Sequence, residues 1–189
     1  MNRIIYALGI FFLGILLCGC PDKEDPDIEI GKSHMGGIVF YIDGSGEHGL
    51  VAAATDQGYS QWGCVLTGIA GAAGTGVGTG SQNTKDIVAG CPDTDAAAFV
   101  CENLNLNGYS DWYLPSIDEL DLLYRNLHAK SLGKFQEEFC LFGDCRDVFY
   151  WSSTQYDEMS AWCIYFKTGF KAEGNSKNNG GNVRPIRAF

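Results

Sequence analysis

The apolar residues of this chain form one continuous block followed by a series of short periodic ones. Ile4 to Leu17 is an unbroken apolar and glycine run behind Met1-Asn2-Arg3. As a helix it would reach about 21 Å, short of the roughly 30 Å hydrocarbon core of a bilayer, so it reads as a cleaved export signal. Pro21 to Lys32 breaks the pattern. It is rich in Asp and Glu, holds Pro21 and Pro26, and has almost no apolar period, as expected of a solvated tether. Periodic apolar positions resume near Met35. Gly37 to Ile42 and Leu50 to Ala53 are β-rich runs around the turn residues Asp43 to Gly49, which predicts a hairpin. Two helices are predicted. Thr94 to Leu104 places Ala97, Val100, Cys101 and Leu104 on one stripe. Ser116-Ile117-Asp118-Glu119 is a capping box that opens a face of Ile117, Leu120, Leu123, Tyr124 and Leu127. Asp118 and Glu119 then serve the positive helix end and are not a catalytic carboxylate pair. The last third is strand-like: Phe149 to Ser153, Ala161 to Phe166, Phe170 to Ala172 and Asn182 to Phe189, with a turn at Lys167-Thr168-Gly169.

This layout divides the chain into a signal peptide over 1–19, an acidic tether over 20–34 and one domain over 35–189. The residues before Cys20 resemble the bacterial lipoprotein signal, in which a small residue precedes the cysteine that is lipidated and becomes the new N-terminus. The resemblance implies a lipid-anchored protein of the outer membrane or cell surface, with the membrane as its first partner.

Charge and cysteine content narrow the picture. The net charge is −10, which repels nucleic acid at long range and excludes it as a partner. Six cysteines follow the lipidation site, and an even count in an exported chain reads as a disulfide framework. The preferred pairing is Cys64–Cys91 around the glycine-rich segment, Cys140–Cys145 across a tight loop, and Cys101–Cys163 between a helix and a strand. No C-x-x-C pair occurs and His34, His48 and His128 are scattered, so no metal site is expected. Gly68 to Gly80 lacks the Gly-Lys-Ser/Thr of a phosphate cradle and reads as a compact loop. No cofactor is expected. No set of nucleophile, base and orienting group is visible, so the chain is not read as an enzyme.

Several ordered motifs then carry a family resemblance. Asn107-Gly108-Tyr109-Ser110-Asp111-Trp112-Tyr113-Leu114-Pro115-Ser116, Tyr150-Trp151-Ser152-Ser153-Thr154, Ala161-Trp162 and Val183-Arg184-Pro185-Ile186-Arg187-Ala188-Phe189 resemble the C-terminal domain of the Legionella collagen-like adhesin. The resemblance covers about residues 36–189. More distantly, the Trp112 to Pro115, Trp151 to Thr154 and Val183 to Arg187 elements are similar to C-type-lectin-like folds. This implies a loop-rich, disulfide-stabilised α+β domain with two helices and a twisted antiparallel sheet. The strand near Ile38 to Ile42 would lie beside the C-terminal strand. It also implies a homotrimer and binding of sulfated glycosaminoglycans in a basic cavity. The present chain has no collagen stalk and is acidic, so a polyanion would need Lys171, Arg184 and Arg187 to cluster. The calcium–sugar motif of true C-type lectins is missing, because Cys91-Pro92-Asp93 matches it only superficially; calcium therefore has no support.

The function expected is recognition of, or adhesion to, glycans or protein partners of a host or neighbouring cell. A structural or assembly role in the envelope without a small ligand is the alternative. The residues that offer themselves as a site are Trp112, Trp151 and Trp162 for stacking on sugar rings, with Asp111, Ser152, Ser153 and Asn182 for hydrogen bonding. Arg184 and Arg187 are the candidate charges. Tryptophans in such motifs commonly fill a core instead, which the structure decides.

Overall fold

A computed structural model describes residues 28–189. The segment read as an export signal, Cys20 and most of the segment read as a tether lie outside the described residues. The ordered body begins before Met35. Ile28 and Ile30 pack against the cluster of Val39, Val51 and Trp112, and β1 (Ser33–His34) pairs with β2 (Gly37–Ile42).

β2 and β3 (Gly49–Ala52) form the predicted hairpin. They belong to a four-stranded sheet in the order β1-β2-β3-β11, whose last member is Ile186–Ala188. The C-terminal strand therefore lies beside β3, with β3 separating it from Ile38 to Ile42. The expected neighbour is displaced because β2 spends its other edge on β1.

A second sheet is built from β4 (Tyr59–Gln61), β7 (Phe149–Gln155), β8 (Ser160–Tyr165), β9 (Phe170–Ser176) and β10 (Gly180–Asn182). Its order is β4-β10-β7-β8-β9. The run Asn182 to Phe189, expected to be one strand, is thus shared between two sheets, with Val183-Arg184-Pro185 crossing between them. β5 (Glu138–Leu141) and β6 (Asp144–Asp147) form a separate two-stranded hairpin.

The described residues contain three α-helices where the apolar pattern predicts two. The additional one, α1 (Gly80–Gly90), buries Gly80, Asn83, Thr84 and Ile87. That is helical spacing carried by small and polar residues, so it leaves almost no apolar signature. Gly80 is required there, since a side chain would strike the Glu119 carboxylate and the backbone of Ser116. α2 (Ala97–Glu102) and α3 (Ile117–Asn126) are the two expected helices, the first shorter than its pattern. The capping box at α3 is formed in both directions. Glu119 also accepts the N–H of Gly78 at 2.8 Å, and Thr154 Oγ1 donates to Gly74 O at 2.8 Å. These bonds pin the glycine-rich segment to the body as a compact loop. Burial raises the pKa of Glu119.

α3 packs on β2, β7 and β8. Leu120, Leu123 and Leu127 close over Phe40, Tyr150, Ile164 and Phe166. Each fully buried leucine contributes about 1.5–3 kcal/mol. A second cluster gathers Trp62, Ile87, Leu114, Trp151 and Val183. Two disulfides form among the described residues, Cys64–Cys91 and Cys140–Cys145. The expected third does not. Cys101 and Cys163 are buried free thiols in one cluster, and Cys163 Sγ accepts from the Asn175 amide at 3.2 Å instead. Burial raises both thiol pKa values, that of Cys163 to about 12, which keeps them protonated and unreactive.

Candidate functional site

The segment that leads into β5 is fastened to the body by buried groups. Phe135 packs on Phe166, Tyr150 and His128, and the Arg184 guanidinium lies 4.2 Å over its ring. Arg184 also donates to Asp56 Oδ1 at 2.6 Å, to Ala53 O at 3.0 Å and to Lys134 O. The Tyr150 hydroxyl donates to Asp56 Oδ2 at 2.8 Å and accepts the N–H of Gln136 at 2.7 Å. Burial and the neighbouring Asp56 carboxylate push the Tyr150 phenol well above its ordinary range.

Beyond that anchor the chain leaves the body. All eight residues of β5 and β6 are exposed, including Phe139 and Leu141, and Phe142 at the tip is fully so. Leu141 pairs with Asp144, so Phe142-Gly143 is a two-residue turn, with φ of +51° and +88°. Positive φ at both positions is the mirror-image turn that suits a twisted hairpin, but it favours Asn, Asp or Gly. A bulky side chain in that conformation is strained. The Cys140–Cys145 disulfide crosses the hairpin just behind the tip. At its base Lys167 Nζ bridges Glu138 and Asp147, the latter at 2.9 Å. Those carboxylates hold the Lys167 ammonium in its charged form well above the usual lysine range.

Between this arm and the edge of the five-stranded sheet lies a cavity of about 920 Å³. Tyr59, Phe139, Phe142, Phe149, Gln136 and Asn182 line it. Its floor owes its shape to Gly180-Gly181. A Cβ at Gly180 would collide with the Tyr59 ring and one at Gly181 with Phe149, so both aromatic rings lie against bare backbone. Asn182, the third residue of that strand, is 3% exposed, and its Nδ2 has no hydrogen-bond partner among the described residues. A buried unpaired amide costs about 1–3 kcal/mol. The cations at the rim are both taken up: Arg146 by Asp144 at 3.2 Å, and Lys167 by Asp147 and Glu138 together. Glu138, Cys140 and Cys145 are close enough to suggest a metal triad, yet both sulfurs are consumed by the disulfide.

Of the residues singled out from the sequence, Asn182 alone lines this cavity. Trp112 and Trp151 are in the core at 1% and 0% exposure. Their indole N–H groups donate to Tyr109 O and Ser60 O, so neither ring offers a face to a sugar. Ser152 and Ser153 are buried as well. Ser152 Oγ donates to Trp162 O at 2.8 Å, and Ser153 Oγ accepts from Asn83 at 3.2 Å. Trp162 is half-buried, edge-on to Tyr156. Asp111 is exposed but holds Arg187 in a two-point pair at 2.7 and 2.9 Å, and this bonding lowers its pKa. Arg187 also donates to Met35 O and lies 3.9 Å over Tyr109. Lys171 pairs with Asp121. The three cations are therefore neutralised separately, by Asp56, Asp111 and Asp121, and form no basic cavity. The sequence reasoning missed Tyr59, Phe139, Phe142 and Phe149. The available signal was an aromatic directly before a glycine, between two closely spaced cysteines.

The model of the Lcl C-terminal domain family matches residues 57–187, well over half of the chain. Among solved structures, a fimbrial protein from Bacteroides ovatus ATCC 8483 is similar in fold, with a TM-score of 0.52 and 12% identity. The match covers 86% of this chain and 45% of that one, so this chain spans under half the length of that protein. No curated protein matches the chain.

Proposed function

The chain belongs to the Lcl C-terminal domain family, and we propose that it works at the bacterial cell surface as an adhesion-type recognition module. In this reading Cys20 carries the lipid anchor, the acidic segment is the spacer, and the cavity under the β5–β6 hairpin takes a sugar ring of a glycan. The observation that carries it is the hairpin tip. An exposed Phe held in a left-handed conformation costs stability twice, by its backbone and by its wet apolar surface. Strain of this kind concentrates where a contact is made. A cavity with aromatic walls and a few polar groups, Gln136 and Asn182 among them, has the usual composition of a small-ligand site.

Several further points support the reading. One solved structure of similar fold is a fimbrial protein. The acidic chain and the paired rim charges favour a neutral glycan over the polyanions that the family resemblance implies. We read the protein as a binder and not an enzyme, since the charged groups around the cavity are committed to ion pairs and the two nearby sulfurs to each other. The C-type-lectin-like assignment of the body belongs to the same proposal. It is supported by the order of the Trp112 to Pro115, Trp151 to Thr154 and Val183 to Arg187 elements.

The test is a glycan array probed with the purified chain and with Tyr59→Ala and Phe142→Ala, both exposed positions. Reproducible binding that both variants lose is the expected result. Binding that survives both changes would move the site elsewhere, and a blank array alongside capture of a surface protein would replace the glycan with a protein partner.

A further inference from the structure

The chemistry of the cavity restricts its occupant further, resting on the recognition reading above. The Asn182 carboxamide is buried, its nitrogen is unpaired, and it lines a space walled by aromatic rings. A half-turn about its terminal bond presents either a donor or an acceptor. The group that satisfies both ends at once is another amide, giving one N–H to oxygen bond in each direction. An anionic occupant is disfavoured, because Arg146 is paired with Asp144 and Lys167 is shared by Asp147 and Glu138, which leaves no free cation at the rim. The exposed ring of Tyr59, together with Phe139 and Phe142, calls for a flat apolar surface next to that amide.

From these three requirements we infer that the cavity recognises an N-acetylated hexosamine unit of a neutral glycan. The acetamido carbonyl and N–H meet Asn182, the acetamido methyl enters the apolar wall, and the C–H face of the pyranose stacks on an aromatic ring. A plain hexose carries hydroxyls at that position. It lacks the methyl and pairs with only one end of the carboxamide.

Two trisaccharides isolate this difference. Chitotriose and cellotriose share the same β-1,4 backbone and differ in acetamido against hydroxyl. Calorimetric titration of the full chain should give at least about tenfold tighter binding of chitotriose, the value of one buried hydrogen bond. Asn182→Ala should bring the two ligands to within about twofold, while Tyr59→Ala should weaken both. Because Asn182 is buried, its variant is checked for an unchanged circular dichroism spectrum. Tyr59→Ala, at an exposed position, provides a cavity variant that does not depend on core packing. Equal binding of the two trisaccharides to the wild-type chain would overturn the acetamido assignment and leave the glycan reading intact. Binding of neither, with a blank array, would remove both. Binding of an N-acetylated peptide in place of either sugar would overturn the sugar while keeping the amide pairing. Solubilised peptidoglycan strands, which carry the same acetamido groups with acidic lactyl ethers, form the last arm. Binding as tight as that of chitotriose assigns the source to cell wall, and weaker binding assigns it to another glycan; the acetamido class holds in both cases.

Discussion

Two strand hairpins among the described residues share the same turn, and they are supported in opposite ways. Met35-Gly36 joins β1 to β2 and Phe142-Gly143 joins β5 to β6, each with positive φ at both positions. The first is held by the body: Arg187 donates to Met35 O at 2.9 Å and Asn107 Nδ2 to Gly36 O at 2.7 Å. The second stands clear of it, with a fully exposed aromatic at its tip and a covalent bridge behind that tip. A turn built into the fold is stabilised by its neighbours. A turn that must reach outward carries its own reinforcement. Of the two, the self-reinforced turn lies within residues 57–187, the part matched by the family model, and the turn held by the body lies before it.

The largest effect is expected where the arm meets the scaffold. Arg184→Met strands Asp56 and frees Lys134 O, and should cost about 3–5 kcal/mol of global stability in denaturant melts. Arg187→Met removes charge-assisted bonds to Asp111 and Met35, and should cost about 2 kcal/mol, with amide exchange rising first around the β1–β2 turn. The double change Cys140→Ser and Cys145→Ser should act on the arm alone. Opening so short a loop is worth about 2 kcal/mol in chain entropy, so exchange at 138–147 should rise roughly 30-fold while the thermal midpoint barely moves. A global loss instead would show that the arm folds with the body. Phe142→Asn relaxes the left-handed residue, and should raise protection at the tip by about 1 kcal/mol while glycan binding falls.

The smallest effect distinguishes the two regions by pH. Burial lowers the Lys177 pKa to about 8, where its ammonium donates to Thr67 O and Gln155 Oε1 and sits over Trp62. Between pH 8 and the ordinary lysine value the unfolded chain binds more protons than the folded one, so this group makes stability rise with pH across that window. Lys177→Met should flatten the slope. Lys167, shifted upward, keeps its charge through the same window, and its bridge at the base of the arm is lost only above it.

The local features of this fold were legible in the sequence. The capping box needs only Ser116 and Glu119, the β2–β3 hairpin needs one run on each side of a turn, and the Cys140–Cys145 bridge spans five positions. What the sequence hid depends on distance. Arg184 and Arg187 look like surface charges until Asp56 and Asp111, 128 and 76 positions away, take them into the interior. α1 escaped because its buried face is Gly, Asn, Thr and a single Ile, so polar satisfaction stands in for apolar period. The tryptophans were the most conspicuous candidates for a site, and two of the three are core. The exposed aromatics of the arm sit in a charged, irregular stretch where no periodicity marks them.

The strand at the end of the four-stranded sheet also has a consequence in time. β3 cannot complete its ladder, nor Ala53 and Met35 find their donors, until residues 184–188 arrive. Those hydrogen bonds close loops of 131 and 152 positions. Contacts that distant make folding slow compared with helical bundles of similar size. The four-stranded sheet is therefore completed late in folding, when β11 docks against β3.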